Sequence, residues 1–233
     1  MIGHALHKRP LGIGELLSTA WDICRGNGKF FLLVSLLCLA PQQFLPLKAL
    51  LAGMQTQEQL SLLALSVPLT LLSFLGELIL IVFTAAATMK RLPDTGPVLR
   101  RAAAVSGWAL LTMVLWLVVI GLGFGVLLVP GIILLNSLVF TMHAVALRDC
   151  TGVAALRFSW DLVSGRWWRV LGVNIVLFLL FSAPGSVASY LLMDAGFAFR
   201  TAAAILTTLL GAIGSVAVTL FFLNLDAVRN RES

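Results

Sequence analysis

The chain has 233 residues, of which 60% are hydrophobic and only 11% are charged, and its formal net charge at pH 7 is +6. Soluble domains average about 45–50% apolar and about 25% charged residues, so this composition excludes an ordinary soluble globular domain. The alternating pattern of barrel strands is absent, so we expect an all-α polytopic membrane protein. The predicted architecture is a single domain over residues 1–233. It has six transmembrane helices that form three hairpins, each preceded by a cytoplasmic amphipathic helix.

The first of these three units begins with an amphipathic helix at residues 11–25. The sequence GNG at residues 26–28 ends this helix, because glycine and asparagine are common at helix C-termini. The apolar run that follows predicts a first span at about residues 30–51. After a short polar loop, a second span is predicted at about residues 60–89.

The second unit contains an uncharged run of 40 residues that ends at Leu147. One helix of that length would be about 60 Å long, roughly twice the thickness of the hydrocarbon core, so the run must hold two spans. Pro130-Gly131 is the strong helix breaker in its middle. We therefore expect spans at about 108–129 and 132–147.

The third unit opens with an amphipathic helix that ends at Gly165. Its apolar residues recur at spacings of three and four, which predicts one apolar face formed by Val153, Leu156, Trp160 and Val163. The run RWWR follows, and arginine with tryptophan is typical of a membrane–water boundary. We expect an interfacial anchor formed by Trp160, Arg166, Trp167, Trp168 and Arg169. The last two spans are predicted at about 167–193 and 201–225.

The three units share a pattern of surface helix, glycine joint and hairpin. Trp21-Asp22 followed by Gly26 is similar to Trp160-Asp161 followed by Gly165, and the second unit has a predicted surface helix at 98–106 with its joint at Gly107. The units would share one orientation, which would make this a parallel repeat. Amphipathic helices before spans also look alike on physical grounds alone, and the sequence leaves both explanations open.

The basic residues are distributed very unequally between the two sides that six spans would create. Only Lys48 and Arg200 fall on one side, and 14 of the 16 fall on the other, namely Lys8, Arg9, Arg25, Lys29, Lys90, Arg91, Arg100, Arg101, Arg148, Arg157, Arg166, Arg169, Arg229 and Arg231. The positive-inside rule then predicts that both termini are cytoplasmic. We expect the partners to be the bilayer and its anionic head groups rather than nucleic acid. The sequence leaves a protein partner or a homo-oligomer open.

Two adjacent segments, PGIILLNSLVFTMHAVALRD and AALRFSWDLVSGRWWRVLGV, are similar to a known family. They resemble the membrane domain found beside glycerophosphodiester phosphodiesterases and the bacterial inner-membrane proteins of the YciC type. The opening LGIGELLSTAWDICRGN resembles theirs too. The resemblance implies about six spans and a bacterial inner membrane. It implies no phosphodiesterase activity here, because the chain has no soluble barrel and no acidic metal-binding cluster.

Glu77 is the most informative polar residue, because it lies near the middle of the second predicted span. A charged carboxylate at that depth costs several kcal/mol, so its side chain should face the bundle interior or water. Asn136, His143 and Asn174 are possible partners on the fourth and fifth spans. The group is either a proton- or cation-coupling site or a hydrogen-bonded contact that holds the helices together.

The function is predicted less sharply than the topology. The sequence has no catalytic motif of the serine-hydrolase, zinc-protease or P-loop type, so we expect no enzyme, no metal and no cofactor. The first hypothesis is a non-catalytic inner-membrane protein that acts as a scaffold, in envelope maintenance or in protection against a membrane-active agent. The alternative is a small transporter or exporter that uses Glu77 as its coupling residue. A water-filled cavity reaching Glu77 would favour the alternative, and a dry, packed Glu77 would favour the first hypothesis.

Overall fold

A computed structural model describes residues 11–40, 56–89, 93–191 and 197–232. These residues form helices and no strand, which confirms the all-α prediction. The helices are α1 (Ile13–Gly26), α2 (Gly28–Val34), α3 (Thr56–Met89), α4 (Thr95–Val126), α5 (Leu128–Ser137), α6 (Thr141–Arg148), α7 (Val153–Val163), α8 (Trp167–Leu177), α9 (Ala183–Leu191) and α10 (Phe197–Glu232). A π-helical turn extends α2 over Ser35–Leu39, and a second one joins α8 to α9 over Phe178–Ser182.

Five helical stretches of the described chain are long and apolar enough to cross a membrane. They are Ser66–Met89, Thr95–Val126, Leu128–Arg148, Trp167–Ala188 and Thr201–Arg231. This confirms a multi-pass membrane protein. The first predicted span, 30–51, begins within the apolar helix Gly28–Leu39, but residues 41–51 lie outside the described part of the chain. This first span, and with it the total of six, therefore stays a prediction.

The predicted joint at Gly107 is wrong, because α4 is continuous through it. One face of α4 is buried on both sides of this glycine, at Val98, Ala102, Val105 and Ala109. A glycine inside a helix costs only about 1 kcal/mol relative to alanine. Packing along the whole face outweighs that cost, so the surface helix and the span are one element.

The break between the third and fourth predicted spans is also displaced. It falls at Leu127, whose backbone is extended (φ −161°, ψ 154°), and not at residues 129–131. Pro130 lies in the first turn of α5, where the backbone N–H groups have no intrahelical partner, so proline is tolerated there. Gly131 has a different role: a Cβ atom there would collide with the ring of Phe124, so glycine permits the close contact between α4 and α5.

The predicted fourth span is not one regular helix. α5 ends at Ser137, and α6 begins only at Thr141. The buried hydroxyl of Ser159, on α7, lies at this gap: it accepts the N–H of Phe140 at 3.1 Å and donates to the carbonyl of Ser137 at 2.9 Å. The indole N–H of Trp116 on α4 donates to the carbonyl of Leu138 at 3.1 Å. Side chains from two other helices therefore satisfy the interrupted backbone.

The packed face of α7 differs from the apolar face predicted for it. Its buried residues are Ala155, Leu156, Ser159, Leu162 and Val163. Leu156 and Val163 belong to the predicted face, but Val153 is 59% exposed and Trp160 is 42% exposed. The pattern misleads because apolar side chains on a membrane protein face lipid as well as protein, so periodicity does not separate the two.

The joint at Gly165 is confirmed. α7 ends just before it, and its φ of +78° lies in the left-handed region, where glycine has no steric penalty. The backbone N–H of Arg166 donates to the carbonyl of Val163 at 2.9 Å and closes the turn into α8.

α10 is the central helix of the bundle. Its residues Val216, Ala217, Leu220, Phe221, Phe222 and Leu225 are almost completely buried. Helices α1, α3 and α9 all pack against it. Polar side chains on α10 are therefore placed where several helices meet.

Candidate functional site

A cavity of about 380 Å³ lies between α3, α6, α8 and α10. Its polar lining consists of Glu77, His143, Asn174, Ser182 and Ser215. Its apolar lining consists of Ile81, Val139, Met142, Leu177, Phe178 and Val218. A volume of this size falls within the range of small-molecule sites, roughly 300–1,000 Å³, and an apolar wall with few polar groups is typical of them.

Glu77 is half-buried at the wall of this cavity. Its Oε1 atom accepts a hydrogen bond of 2.6 Å from the hydroxyl of Ser215 on α10. The preceding turn of α3 is held by Ser73, whose hydroxyl donates to the carbonyl of Cys38 at 3.0 Å. A Cβ atom at Gly76 would lie only 2.5 Å from the Cβ of Cys38, so this glycine permits the contact. α3 is thereby fixed just before Glu77.

A chain of polar contacts continues from Ser215 to His143. The hydroxyl of Thr219 donates to the carbonyl of Ser215 at 2.9 Å, and Nε2 of His143 lies 3.3 Å from the same hydroxyl. Ser215 and Thr219 are one turn apart on α10, so both face the same side of the helix. One network therefore joins α3, α6 and α10.

Two side chains that line the cavity each have a buried polar atom without a hydrogen-bond partner within the described chain. They are Nδ1 of His143 and Nδ2 of Asn174. His143 as a whole is only 6% exposed. Both atoms have almost no accessible surface, so they are unsatisfied groups behind the cavity wall rather than groups on its surface.

Asn136 does not line the cavity, although the sequence grouped it with Glu77. Its amide Nδ2 donates to the backbone carbonyl of Trp167 at 3.2 Å, and the side chain is buried. This contact fixes the start of α8 against α5. Of the four candidate residues, the structure brings Glu77, His143 and Asn174 together and places Asn136 elsewhere.

Ser215 and Thr219 are the polar residues of the network around Glu77 and His143 that the sequence analysis missed. Small hydroxyl side chains in an apolar helix bond readily to their own backbone, so they give little signal of their own. Their spacing of four residues was visible, but the partner residue, Glu77, lies 138 positions away along the chain.

The predicted interfacial anchor divides into exposed and packed residues. Trp160 is exposed and Trp168 is 79% exposed, whereas Trp167 is half-buried and packs edge-to-face on Trp168. Arg169 donates to the carbonyl of Leu11 at 3.0 Å, and the N–H of Leu11 donates to the buried Asn224 at 3.0 Å. Arg169 therefore helps to fix the chain just before α1.

The described residues contain no group of three or more His, Cys, Asp and Glu side chains with the arrangement of a metal site. The polar groups at the cavity are a single carboxyl, an imidazole, an amide and hydroxyls. Their chemistry suits hydrogen bonding and charge pairing with a small solute.

Comparison with known proteins gives one family. Residues 95–228 match a domain of unknown function, DUF7847, and because this match covers more than half of the 233 residues, the chain belongs to that family. No curated protein and no solved structure matches the chain. The resemblance to YciC-type proteins and to the phosphodiesterase membrane domain has no support in these comparisons.

Proposed function

We propose that this member of the DUF7847 family is a small transporter or exporter, in which Glu77 couples solute binding to proton or cation movement. The proposal rests on one observation: a partly open cavity large enough for a small solute lies between the helices and has a carboxyl group in its lining. The domain of unknown function itself assigns no activity.

The cavity is what favours transport over a purely structural role. A glutamate that only joins helices needs no recess beside it. Here Glu77 already has a hydrogen bond from Ser215, yet the space beside it stays open. Intramembrane ionisable residues that face a cavity commonly lie on solute or ion pathways.

Coupling follows from the charge of a single carboxyl. A cation bound beside Glu77 favours the ionised carboxylate, and a proton on Glu77 removes that attraction. The solute and the proton therefore compete for one group, which is the minimal requirement for exchange across a membrane.

The test is proton movement in liposomes that contain the full-length protein and a trapped pH-sensitive dye, because exchange of one cation for one proton moves no net charge. Two probes are added in turn, phenethylamine and its N,N,N-trimethyl derivative, both cationic at neutral pH. We expect at least one probe to change the internal pH faster than in protein-free liposomes, and this difference to be lost in Glu77→Gln. Asp161→Asn is the matched control, because this carboxylate is largely exposed and lies outside the cavity. If neither probe changes the internal pH faster with the parent protein than without protein, or if Glu77→Gln behaves like the parent, the proposal fails.

We further propose that the chain has six spans in three hairpins, with both termini in the cytoplasm of a bacterial inner membrane. The support is the unequal distribution of lysine and arginine between the two sides that six spans would create. Epitope tags at the two ends decide the count: with six spans, protease added to intact spheroplasts removes neither tag. With five spans it removes one of them.

A second candidate function is a non-catalytic scaffold or protective protein held at the lipid surface. The exposed Trp160 and Trp168 beside the basic residues around Gly165 favour it, because this chemistry suits anionic head groups. Under this alternative, Glu77→Gln retains full function in cells. Substitution of Trp160 and Trp168 by alanine impairs it.

A further inference from the structure

We infer that Ser215 is the positional equivalent of Glu77 in an internal repeat, and that the coupling site has two sides, so that a carboxyl group at residue 215 can replace the one at residue 77. The inference rests on the proposed function and assigns a second position to its site. It treats the likeness of the first and third units as true repetition.

The first and third units each contain a π-helical turn of five residues, Ser35–Leu39 and Phe178–Ser182. Such turns are rare in proteins and are frequently found at functional sites. Each turn is followed directly by the dipeptide Ala-Pro, at residues 40–41 and 183–184. A proline removes a backbone donor from a helix, and a local π turn is one way to accommodate the loss. Pro41 lies outside the described residues, so its likeness to Pro184 is one of sequence.

A glycine of a later helix lies against the same residue of each π turn. A Cβ atom at Gly76 on α3 would lie 2.5 Å from the Cβ of Cys38, and one at Gly214 on α10 would lie 3.1 Å from the Cβ of Phe181. Cys38 and Phe181 are the fourth residues of their turns. Glycine therefore permits the same close contact in both units. The general likeness of amphipathic surface helices does not account for this match, because the match lies within the apolar helices.

The residue after each of these glycines is polar, Glu77 in the first unit and Ser215 in the third. The two side chains meet, since the hydroxyl of Ser215 donates to Oε1 of Glu77 at 2.6 Å. Both residues also line the cavity. The hydrogen bond therefore joins equivalent positions of the two units, and each position borders the same space. A carboxyl group on either helix would face a hydroxyl group on the other.

The difference between the two positions has a physical reason. Two carboxyl groups at hydrogen-bond distance would repel each other when both are ionised, so one of the positions needs a neutral side chain. Serine at residue 215 is neutral and supplies a hydrogen-bond donor, which the carboxyl group of Glu77 accepts. The pair therefore needs one carboxyl group and one hydroxyl group, and the repeat leaves open which helix carries which.

The experiment relocates the carboxyl group in the full-length protein and measures proton movement in dye-loaded liposomes, with phenethylamine and its N,N,N-trimethyl derivative as probes. Glu77→Ser removes the carboxyl group, and Glu77→Ser combined with Ser215→Glu moves it to the equivalent position. We expect the single variant to lower the probe-driven proton flux by more than about tenfold, and the swapped variant to bring it back to within about threefold of the parent. A role of Ser215 in packing alone would not produce this recovery.

Glu77→Ser combined with Ser182→Glu is the matched control. Ser182 is also a half-buried serine that lines the cavity, but it belongs to the second π turn and is not equivalent to residue 77. We expect no recovery of the proton flux in this variant. A recovery equal to that of the swapped variant would overturn the inference, because any carboxyl group at the cavity would then be sufficient.

The outcomes separate this inference from the proposed function. Size-exclusion chromatography gives the folded fraction of each variant, to which its flux is normalised. If the swapped variant does not fold, Glu77→Ser with Ser215→Asp repeats the test with a shorter side chain. Failure of both to fold overturns the inference, since equivalent positions must both accommodate a carboxyl group. A folded swapped variant without flux also overturns it, while Glu77-dependent flux in the parent leaves the transporter intact. Absence of flux in the parent overturns both.

Discussion

The hydroxyl of Ser159 lies 3.1 Å from the amide nitrogen of Phe140 and 2.9 Å from the carbonyl oxygen of Ser137, with all three residues buried. It lies at the gap between α5 and α6, where it hydrogen-bonds both the last residue of α5 and the residue just before α6. A lipid-facing break would leave these backbone groups unsatisfied, which the hydrocarbon region does not tolerate. The docking of α7 is therefore part of what makes the interrupted span possible.

Ser159→Ala should destabilise the protein by about 2–6 kcal/mol. The change leaves two buried backbone groups without a partner, each at a cost of about 1–3 kcal/mol. SDS-induced unfolding followed by tryptophan fluorescence measures the effect. Ser186→Ala is the control, since Ser186 is exposed and bonds only to the carbonyl of Ser182 within its own helix segment, and it should change stability by less than about 0.5 kcal/mol. Equal effects of the two substitutions would contradict the role of Ser159.

The ion pair between Arg148 and Asp226 should respond unequally to loss of either partner. Asp226 is almost fully buried, whereas the Arg148 side chain is 43% exposed. Arg148→Met leaves a buried carboxylate without its partner, and Asp226→Asn leaves an arginine that water can reach. We expect the arginine substitution to be the more destabilising, by about 1–2 kcal/mol after allowance for solvent screening.

The pair Arg101–Asp149 provides the comparison for this prediction. Its carboxylate is 76% exposed, and Asp149 has a positive φ that asparagine also tolerates. Asp149→Asn should therefore cost less than about 0.5 kcal/mol. If Asp226→Asn proves as costly as Arg148→Met in the same unfolding assay, the asymmetry argument is wrong.

Gly185→Ala should loosen the contact between α9 and α10. A Cβ atom at this buried position would lie 2.9 Å from the Cα of Thr207, so the backbones must separate, at a cost of about 1–3 kcal/mol. Gly172→Ala meets no neighbour within 4 Å and should be neutral or stabilising by up to about 1 kcal/mol. Thermal unfolding in detergent compares the two variants. A stabilised Gly185→Ala would show that α9 packs differently.

Cys24 should alkylate very slowly in the folded protein. Burial raises the pKa of its thiol from 9.0 to about 12, which lowers the thiolate fraction at pH 8 by about 1000-fold. Iodoacetamide modification of a variant with Cys38 and Cys150 replaced by alanine tests this. The rate should rise about tenfold per pH unit up to about pH 11, and SDS-unfolded protein should react at the ordinary rate. A plateau near pH 9 would contradict the prediction.

The same shift has a consequence for stability. The folded Cys24 thiol holds its proton more tightly than the unfolded one. The stabilisation of the folded protein that comes from this pKa difference is therefore complete below pH 9. It is lost as the pH rises from about 9 to about 12.

Local composition was enough to predict much of the molecule. The apolar runs gave the membrane class and most helices, because lipid accepts apolar side chains wherever they point. Gly165 was recognisable as a joint, since a turn into the next helix needs a positive φ that glycine allows. Glu77 stood out because a carboxyl in an apolar span must be accommodated somewhere.

Other features depend on residues that are far apart in the chain. Packing of one continuous face carries α4 through Gly107, and Ser159 is buried because α7 lies against a broken helix 20 residues earlier. The cavity exists only because α3, α6, α8 and α10 converge, which brings Ser215 to Glu77 and Thr219 to His143. In a membrane protein the faces toward lipid and toward protein are both apolar. Hydrophobic periodicity therefore locates the helices, and helix packing alone decides which of their polar side chains meet.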